Sequence, residues 1–299
     1  MSVGTALVNG LVVLLLAPLF DGVVRKVKAV VHSRKGPPLT QTYIDIFKLL
    51  GKEDLRCTES VIFRFAPAII LAVFLVVATL TPMGARPQTG FGADMITWIY
   101  FMTLGAAAII LMAAASGNPF SKAGGAREIM IMLSVEPVIV AALLTAAIKS
   151  QSLRLSDMVS WNIANGPTVS MVAAGIAFFL MLQAILGKLP FDIMEAESEI
   201  IDGPLMEQSG PNLALLKTAL LVRQLVFSFL LVQIFVPWPV LNPWPLAVAA
   251  ALGKVLVLFV LAAVIEAVSP RLRIDQAMLY MGKVLFVGWA AVTFAIIGV

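Results

Sequence analysis

The chain has 299 residues, 60% of them hydrophobic and only 13% charged, with a formal net charge of +4 and a mean hydropathy of +0.98. A soluble domain carries about a quarter charged residues, so the composition excludes a soluble fold and marks an all-α, polytopic membrane protein. The single cysteine, Cys57, excludes a disulfide framework and any iron–sulfur or Cys-based zinc site built within the chain, and the single histidine, His32, excludes a His-rich metal or haem site.

A helix needs about 20 apolar residues to cross about 30 Å of hydrocarbon. Eight windows meet that requirement, at approximately 3–23, 62–82, 93–115, 127–149, 167–187, 215–237, 245–268 and 277–298. The first lacks a preceding positive charge and a small-residue cleavage site, so it reads as a retained span rather than a signal peptide. Residues 1–299 therefore read as one transmembrane domain of about eight helices. The odd connections carry fifteen Lys and Arg residues, whereas the even ones carry only Arg86, Lys149 and Arg154. The positive-inside rule then puts both termini outside and the odd loops in the cytoplasm.

The first cytoplasmic loop, 24–60, contains Arg34-Lys35-Gly36-Pro37-Pro38, which ends a basic stretch in a turn. Beyond it, Tyr43, Ile46, Phe47 and Leu50 recur at helical spacing, with Gln41, Asp45 and Lys48 on other faces. That pattern predicts a short amphipathic helix lying in the membrane interface, where it could equally be a plain surface anchor.

The fourth span opens on Arg127-Glu128 and holds Glu136-Pro137 inside it. An ionisable residue within a span is a functional hypothesis by default. Glu136 lies about two turns deeper than Glu128 on the same broad face. Pro137 frees a backbone carbonyl beside it, so water could enter there. The plain alternative is that Glu128 pairs with Arg127 or a lipid headgroup.

The cytoplasmic loop at 188–216 is the most acidic part of the chain. Asp192, Glu195, Glu197, Glu199, Asp202 and Glu207 are six of the whole chain's seventeen acidic residues. Asp192, Glu195, Glu199 and Asp202 are spaced by three, four and three, so a helix would align them on one face, with Glu197 pointing elsewhere. Like charges at that spacing repel, raise some pKa values and let carboxyls share protons. A charge run can also be no more than a solvated face. Further ionisable residues recur at membrane depth: Arg223 in the sixth span, Lys254 and Glu266 in the seventh, and Lys283 in the eighth. Alternating acids and bases across adjacent helices are what a proton relay requires, although Lys254 or Lys283 could snorkel from near a helix end.

Four segments together carry a family resemblance over essentially the whole chain. They are Arg34-Lys35-Gly36-Pro37, Ala126-Arg127-Glu128 with Ser134-Val135-Glu136-Pro137, Leu189 to Gly203, and Arg271-Leu272-Arg273-Ile274-Asp275-Gln276. The chain resembles the eight-helix membrane subunit shared by respiratory complex I, where it is subunit 1, and the group 4 membrane-bound nickel–iron hydrogenases. Gly203-Pro204-Leu205-Met206-Glu207 and the stretch from Gln41 through Tyr43 and Asp45 to Lys48-Leu49-Leu50 resemble the formate hydrogenlyase branch. Complex I members usually continue Arg-Lys-Gly-Pro with Asn-Arg-Val-Gly, and this chain does not. Gln208 stands where many members have Tyr.

The resemblance implies a non-redox subunit of an oxidoreductase complex in the cell membrane, with no cofactor of its own. It would dock a peripheral arm whose nickel–iron large subunit and small subunit carry the NiFe centre and Fe–S clusters, beside antiporter-like membrane subunits. Asp192, Glu195, Glu197, Glu199, Asp202 and Glu207 would form the cavity-side acidic cluster, and Glu128 and Glu136 would continue a proton or Na+ path, with Lys254, Glu266 and Lys283 beyond. Arg34, Lys35, Tyr43, Asp45, Arg127, Arg223, Arg271, Arg273 and Asp275 would line the docking face or cavity. Two other readings stay open: a quinone-cavity subunit of complex I type, and a stand-alone secondary transporter.

Overall fold

The computed structural model describes residues 3–83, 93–241 and 244–298, so Arg86 of the second connection lies outside the described residues. The chain is nearly all helical: α1 (Val3–Val31), α2 (Gln41–Leu50), α3 (Val61–Leu80), α4 (Met95–Ala115), α5 (Pro119–Ser150), α6 (Leu155–Asn165), α7 (Val169–Ile185), the single-turn α8 (Glu197–Ile200), α9 (Gly210–Phe235), α10 (Trp244–Val268) and α11 (Ile274–Ile297). Seven of the described helices are long and apolar enough to cross a membrane. The eighth apolar window is α7, whose 17 residues lie at the lower end of spanning length. The eight expected windows are thus all helical.

The helix ends depart from the windows in a consistent way. α1 runs on to Val31 through Arg25, Lys26 and Lys28, and α5 starts at Pro119 rather than near 127. An apolar window finds where hydrocarbon ends, not where helical hydrogen bonding ends, so polar turns continue past it. α5 is started by its own chemistry: Asn118 accepts the Phe120 amide hydrogen bond and Pro119 occupies the first turn. The short α6 has no apolar window. It buries Leu155, Met158 and Val159, and its Asn162 donates to the Ile234 carbonyl at 2.7 Å.

α9 is the central helix, packed by α1, α3, α7 and α10, and it is buried on nearly every side. This is why it lacks an apolar stripe. Between spans the drive is close packing rather than escape from water. At Gly105 of α4 any Cβ would sit 2.3 Å from the Phe74 ring of α3, so only glycine permits that approach. Aromatic edges fill the centre: Trp98 meets Phe227 at 5.0 Å and 86°, and Trp98 donates to Thr81 at 3.1 Å.

The amphipathic helix at α2 forms, but its faces divide differently from the expected set. Thr42, Asp45, Ile46 and Leu49 line a cavity inside the subunit, while Ile44, Phe47 and Leu50 are exposed. Ile46 therefore faces inward and Ile44 takes its place outside. The Tyr43 hydroxyl donates to the Leu15 carbonyl, tying α2 to α1.

Candidate functional site

The acidic loop is not the continuous helix that its spacing suggests. Only Glu197–Ile200 is helical, and Ala196, Ile201 and Asp202 all have positive φ, at 23°, 49° and 64°. Side chains rarely adopt that region, so the loop is held there by its surroundings. Gly203-Pro204-Leu205 forms a buried 3-10 turn wedged against α5, where a Cβ on Gly124 would meet Pro204 at 2.6 Å. The loop's other end is pinned by the Leu272 amide donating to the Pro190 carbonyl at 3.0 Å.

These bends split the acidic residues instead of aligning them. Asp192, Glu195 and Asp202 line a cavity of about 510 Å³ between α1, α2, α5 and α9. Glu199 turns to the opposite side, pairing with Arg127 at 2.7 Å in a separate pocket that also holds Arg271, Arg273 and Asp275. Glu207 leaves both, accepting from Asn118 at the start of α5. The Glu197 side chain lies outside the described residues.

Charges inside the cavity are unequal in their partners. Asp192 is paired with Arg271 at 2.6 Å. No cation lies within ion-pair distance of Glu195 among the described residues. Burial, reinforced by the charges of Asp192 and Asp202 against those of Lys188 and Arg223, pushes its carboxyl up to about 7. It is therefore close to half-protonated at neutral pH. Lys188 donates to Asp21 at 3.3 Å; burial pulls its pKa down, but Asp21, Glu266 and Glu195 outweigh that and hold it above the usual lysine value.

Asp21, a buried acid in α1, is the residue that sequence reading missed. It binds Arg25 at 2.9 Å, Lys188 at 3.3 Å and Thr42 at 3.0 Å, and Arg25 reaches on to Asp45 at 3.2 Å. The signal was there, since Asp21 is an acid inside the first apolar window. Lys188 likewise counts only as a topology charge until the fold turns it inward.

From this cavity the charges continue into the membrane. Glu128 of α5 pairs with Arg223 of α9 at 2.9 Å, both nearly buried. The expected alternative partner for Glu128, Arg127, is instead on Glu199. Arg223 and Glu128 also line a smaller pocket of about 60 Å³, with Thr103, Glu136, Trp98 and Phe227 around it. There the Thr103 hydroxyl donates to Glu136 at 2.6 Å. The two cavities thus share the Glu128–Arg223 pair as a common wall.

The remaining candidates stand apart from that line. Glu266 is buried and paired with Lys28 of α1; its second oxygen has no partner among the described residues, and a void of about 10 Å³ separates it from Lys188 and Gln224. Lys254 donates to the carbonyls of Val236 and Pro237, both at 2.9 Å, so it caps the end of α9. Lys283 is exposed on α11. Arg34 and Lys35 are exposed beyond α1, and Arg273 and Asp275 are exposed and 3.6 Å apart.

The family described as NADH dehydrogenase matches residues 4–297. The chain belongs to that family. It is 36% identical to hydrogenase-4 component C of Escherichia coli K12, over 87% of this chain and 85% of that one. It is 32% identical to formate hydrogenlyase subunit 4 of the same organism, over 92% of each, and 33% identical to an NADH-quinone oxidoreductase subunit of Geobacillus sp. WCH70, over 88% of this chain and 83% of that one. A chain from the membrane-bound sulfane sulfur reductase, an archaeal respiratory membrane complex, superimposes with a TM-score of 0.85 at 25% identity, covering 97% of this chain and 98% of that one. The family member is thus a multi-pass membrane protein whose relatives are subunits of hydrogenase, formate hydrogenlyase and complex I assemblies.

Proposed function

We propose that this chain is the anchoring and ion-coupling membrane subunit of a membrane-bound nickel–iron hydrogenase complex, linked to formate, CO or ferredoxin. Its exposed Arg34, Lys35, Arg273 and Asp275 face the cytoplasm and receive the peripheral arm, whose subunits carry the NiFe centre and Fe–S clusters. Both termini lie outside, in the cell membrane. The likeness to components of hydrogenase-4 and formate hydrogenlyase supports the hydrogenase branch.

One observation carries the ion-coupling part: the cavity lined by Asp192, Glu195 and Asp202 and the smaller pocket lined by Glu136 share the Glu128–Arg223 pair as a common wall. Glu195, poised near neutrality, takes a proton from the cavity. Charge rearrangement at the docking face shifts the carboxyls around it, and the proton moves by way of Glu128 to Glu136. Arg223 holds the Glu128 charge in the membrane and sets how readily that carboxylate accepts a proton. Lys254, tied to two carbonyls, and Lys283, turned outward, are not members of this route.

The test is H2-linked ion translocation in inverted vesicles. Glu195→Gln together with Glu136→Gln is expected to abolish translocation while H2 turnover persists. Unchanged translocation would refute the route. A second reading, a quinone-cavity subunit, is favoured by the likeness to the NADH-quinone oxidoreductase subunit and by a cavity roomy enough for a quinone headgroup. Quinone protection of the cavity against labelling near Tyr43 would support it.

A further inference from the structure

α11 has one packed face and one bare face, and a cation sits on the bare one. Ala277, Met281, Val284, Gly288, Ala291, Val292 and Ala295 are buried against α5 and α7; a Cβ on Gly288 would stand 3.1 Å from the Ala141 methyl group. Leu279, Lys283, Phe286, Ala290, Thr293 and Ile297 are all exposed. At about 100° per residue these six fall on one stripe, on the opposite side of the helix from the packed face. Leu279 and Phe286, one turn either side of Lys283, are 69% and 78% exposed.

Depth makes this placement informative. Lys283 lies nine residues into a 24-residue helix, about 14 Å along its axis. Its side chain makes no hydrogen bond or ion pair within the described residues. No carboxylate of the subunit's interior can approach it, because the helix itself stands between. A lone ammonium facing lipid at that depth is costly, and charged groups in spans pair with one another. Apolar neighbours above and below it, with the small Gly282 beside the stripe and Ala290 within it, suit close contact with another helix.

We propose that the Leu279–Lys283–Phe286 stripe docks a second membrane-spanning subunit, one that brings an Asp or Glu carboxylate to Lys283 at the same depth. Opposite charge in a water-free contact selects the partner helix and its register along the membrane normal. The same stripe without the lysine would be indistinguishable from a lipid-facing surface. This contact does not depend on the ion route, because Lys283 and that route lie on opposite sides of the α11 packing.

The experiment places a photoreactive phenylalanine analogue at position 286 in the whole complex in native membranes. An adduct is expected with a membrane-spanning polypeptide, its cross-linked peptide carrying an Asp or Glu within a helical turn. Lys283→Glu is expected to lower the adduct roughly tenfold or more, Lys283→Arg to retain it, and exchange of the partner's acid for lysine to restore it in Lys283→Glu. Lys283 is exposed, so these variants leave the subunit's own packing intact. Adducts with lipid alone, a partner peptide without an acid, or a yield indifferent to Lys283→Glu would each overturn the proposal.

Discussion

The acidic cavity and the contact between α10 and the end of α9 both hold ionisable groups in a protein that has few, yet they are built in opposite ways. At α10 the ammonium of Lys254 meets two carbonyls at 2.9 Å each, so its position is fixed by groups that cannot titrate. In the cavity Asp192, Glu195 and Asp202 crowd one another around a space of about 510 Å³, and Glu195 is left at about 7. A charge in a membrane protein is thus no sign of transport by itself. What marks Glu195 as the group that loads a proton is that its neighbours leave its protonation state open, whereas Lys254 meets only carbonyls, which cannot titrate.

That contrast can be broken from either side. The largest effect belongs to the pair where cavity and membrane meet: Arg223→Ala leaves Glu128 as an uncompensated buried charge and is expected to cost about 3–5 kcal/mol. Thermal unfolding in detergent would measure it, and adding Glu128→Gln should recover much of the loss. If Arg223→Ala alone were neutral, the pair would not be the buried junction described. The smaller effect lies at the satisfied site. Lys254→Met removes two hydrogen bonds from carbonyls at the end of α9, so about 1 kcal/mol of stability is expected to go. Translocation should be unchanged; loss of translocation at wild-type stability would return Lys254 to the route.

The sequence was most readable where one physical constraint dominates. Hydrocarbon thickness placed all eight apolar helices, and the acid at 136, facing Thr103, was recoverable because carboxyls inside spans need a reason. It was least readable where the chain leaves regular geometry. The three-four-three spacing of Asp192, Glu195, Glu199 and Asp202 presumed a helix, but positive φ at Ala196, Ile201 and Asp202 sends Glu199 to Arg127 and Glu195 into the cavity. Spacing carries face information only where φ and ψ repeat. Asp21 was visible as an acid inside the first apolar window, but its link to Lys188 was hidden for a different reason. Their pairing spans 167 positions, and no local pattern encodes a contact of that separation.

Everything proposed for the cavity turns on Glu195 being poised to exchange a proton near neutral pH, so its titration is the sharpest test. A neutral carboxyl is favoured in the folded protein, with the pKa raised from 4.5 to about 7. Stability from this group is therefore full below about 4.5 and declines as pH rises through 7, by up to about 3 kcal/mol. Infrared difference titration of the purified complex should show a protonated carboxyl band disappearing with a midpoint near 7, absent in Glu195→Gln. A band lost below about pH 5, or one that survives Glu195→Gln unchanged, would contradict the cavity's role as the source of the proton.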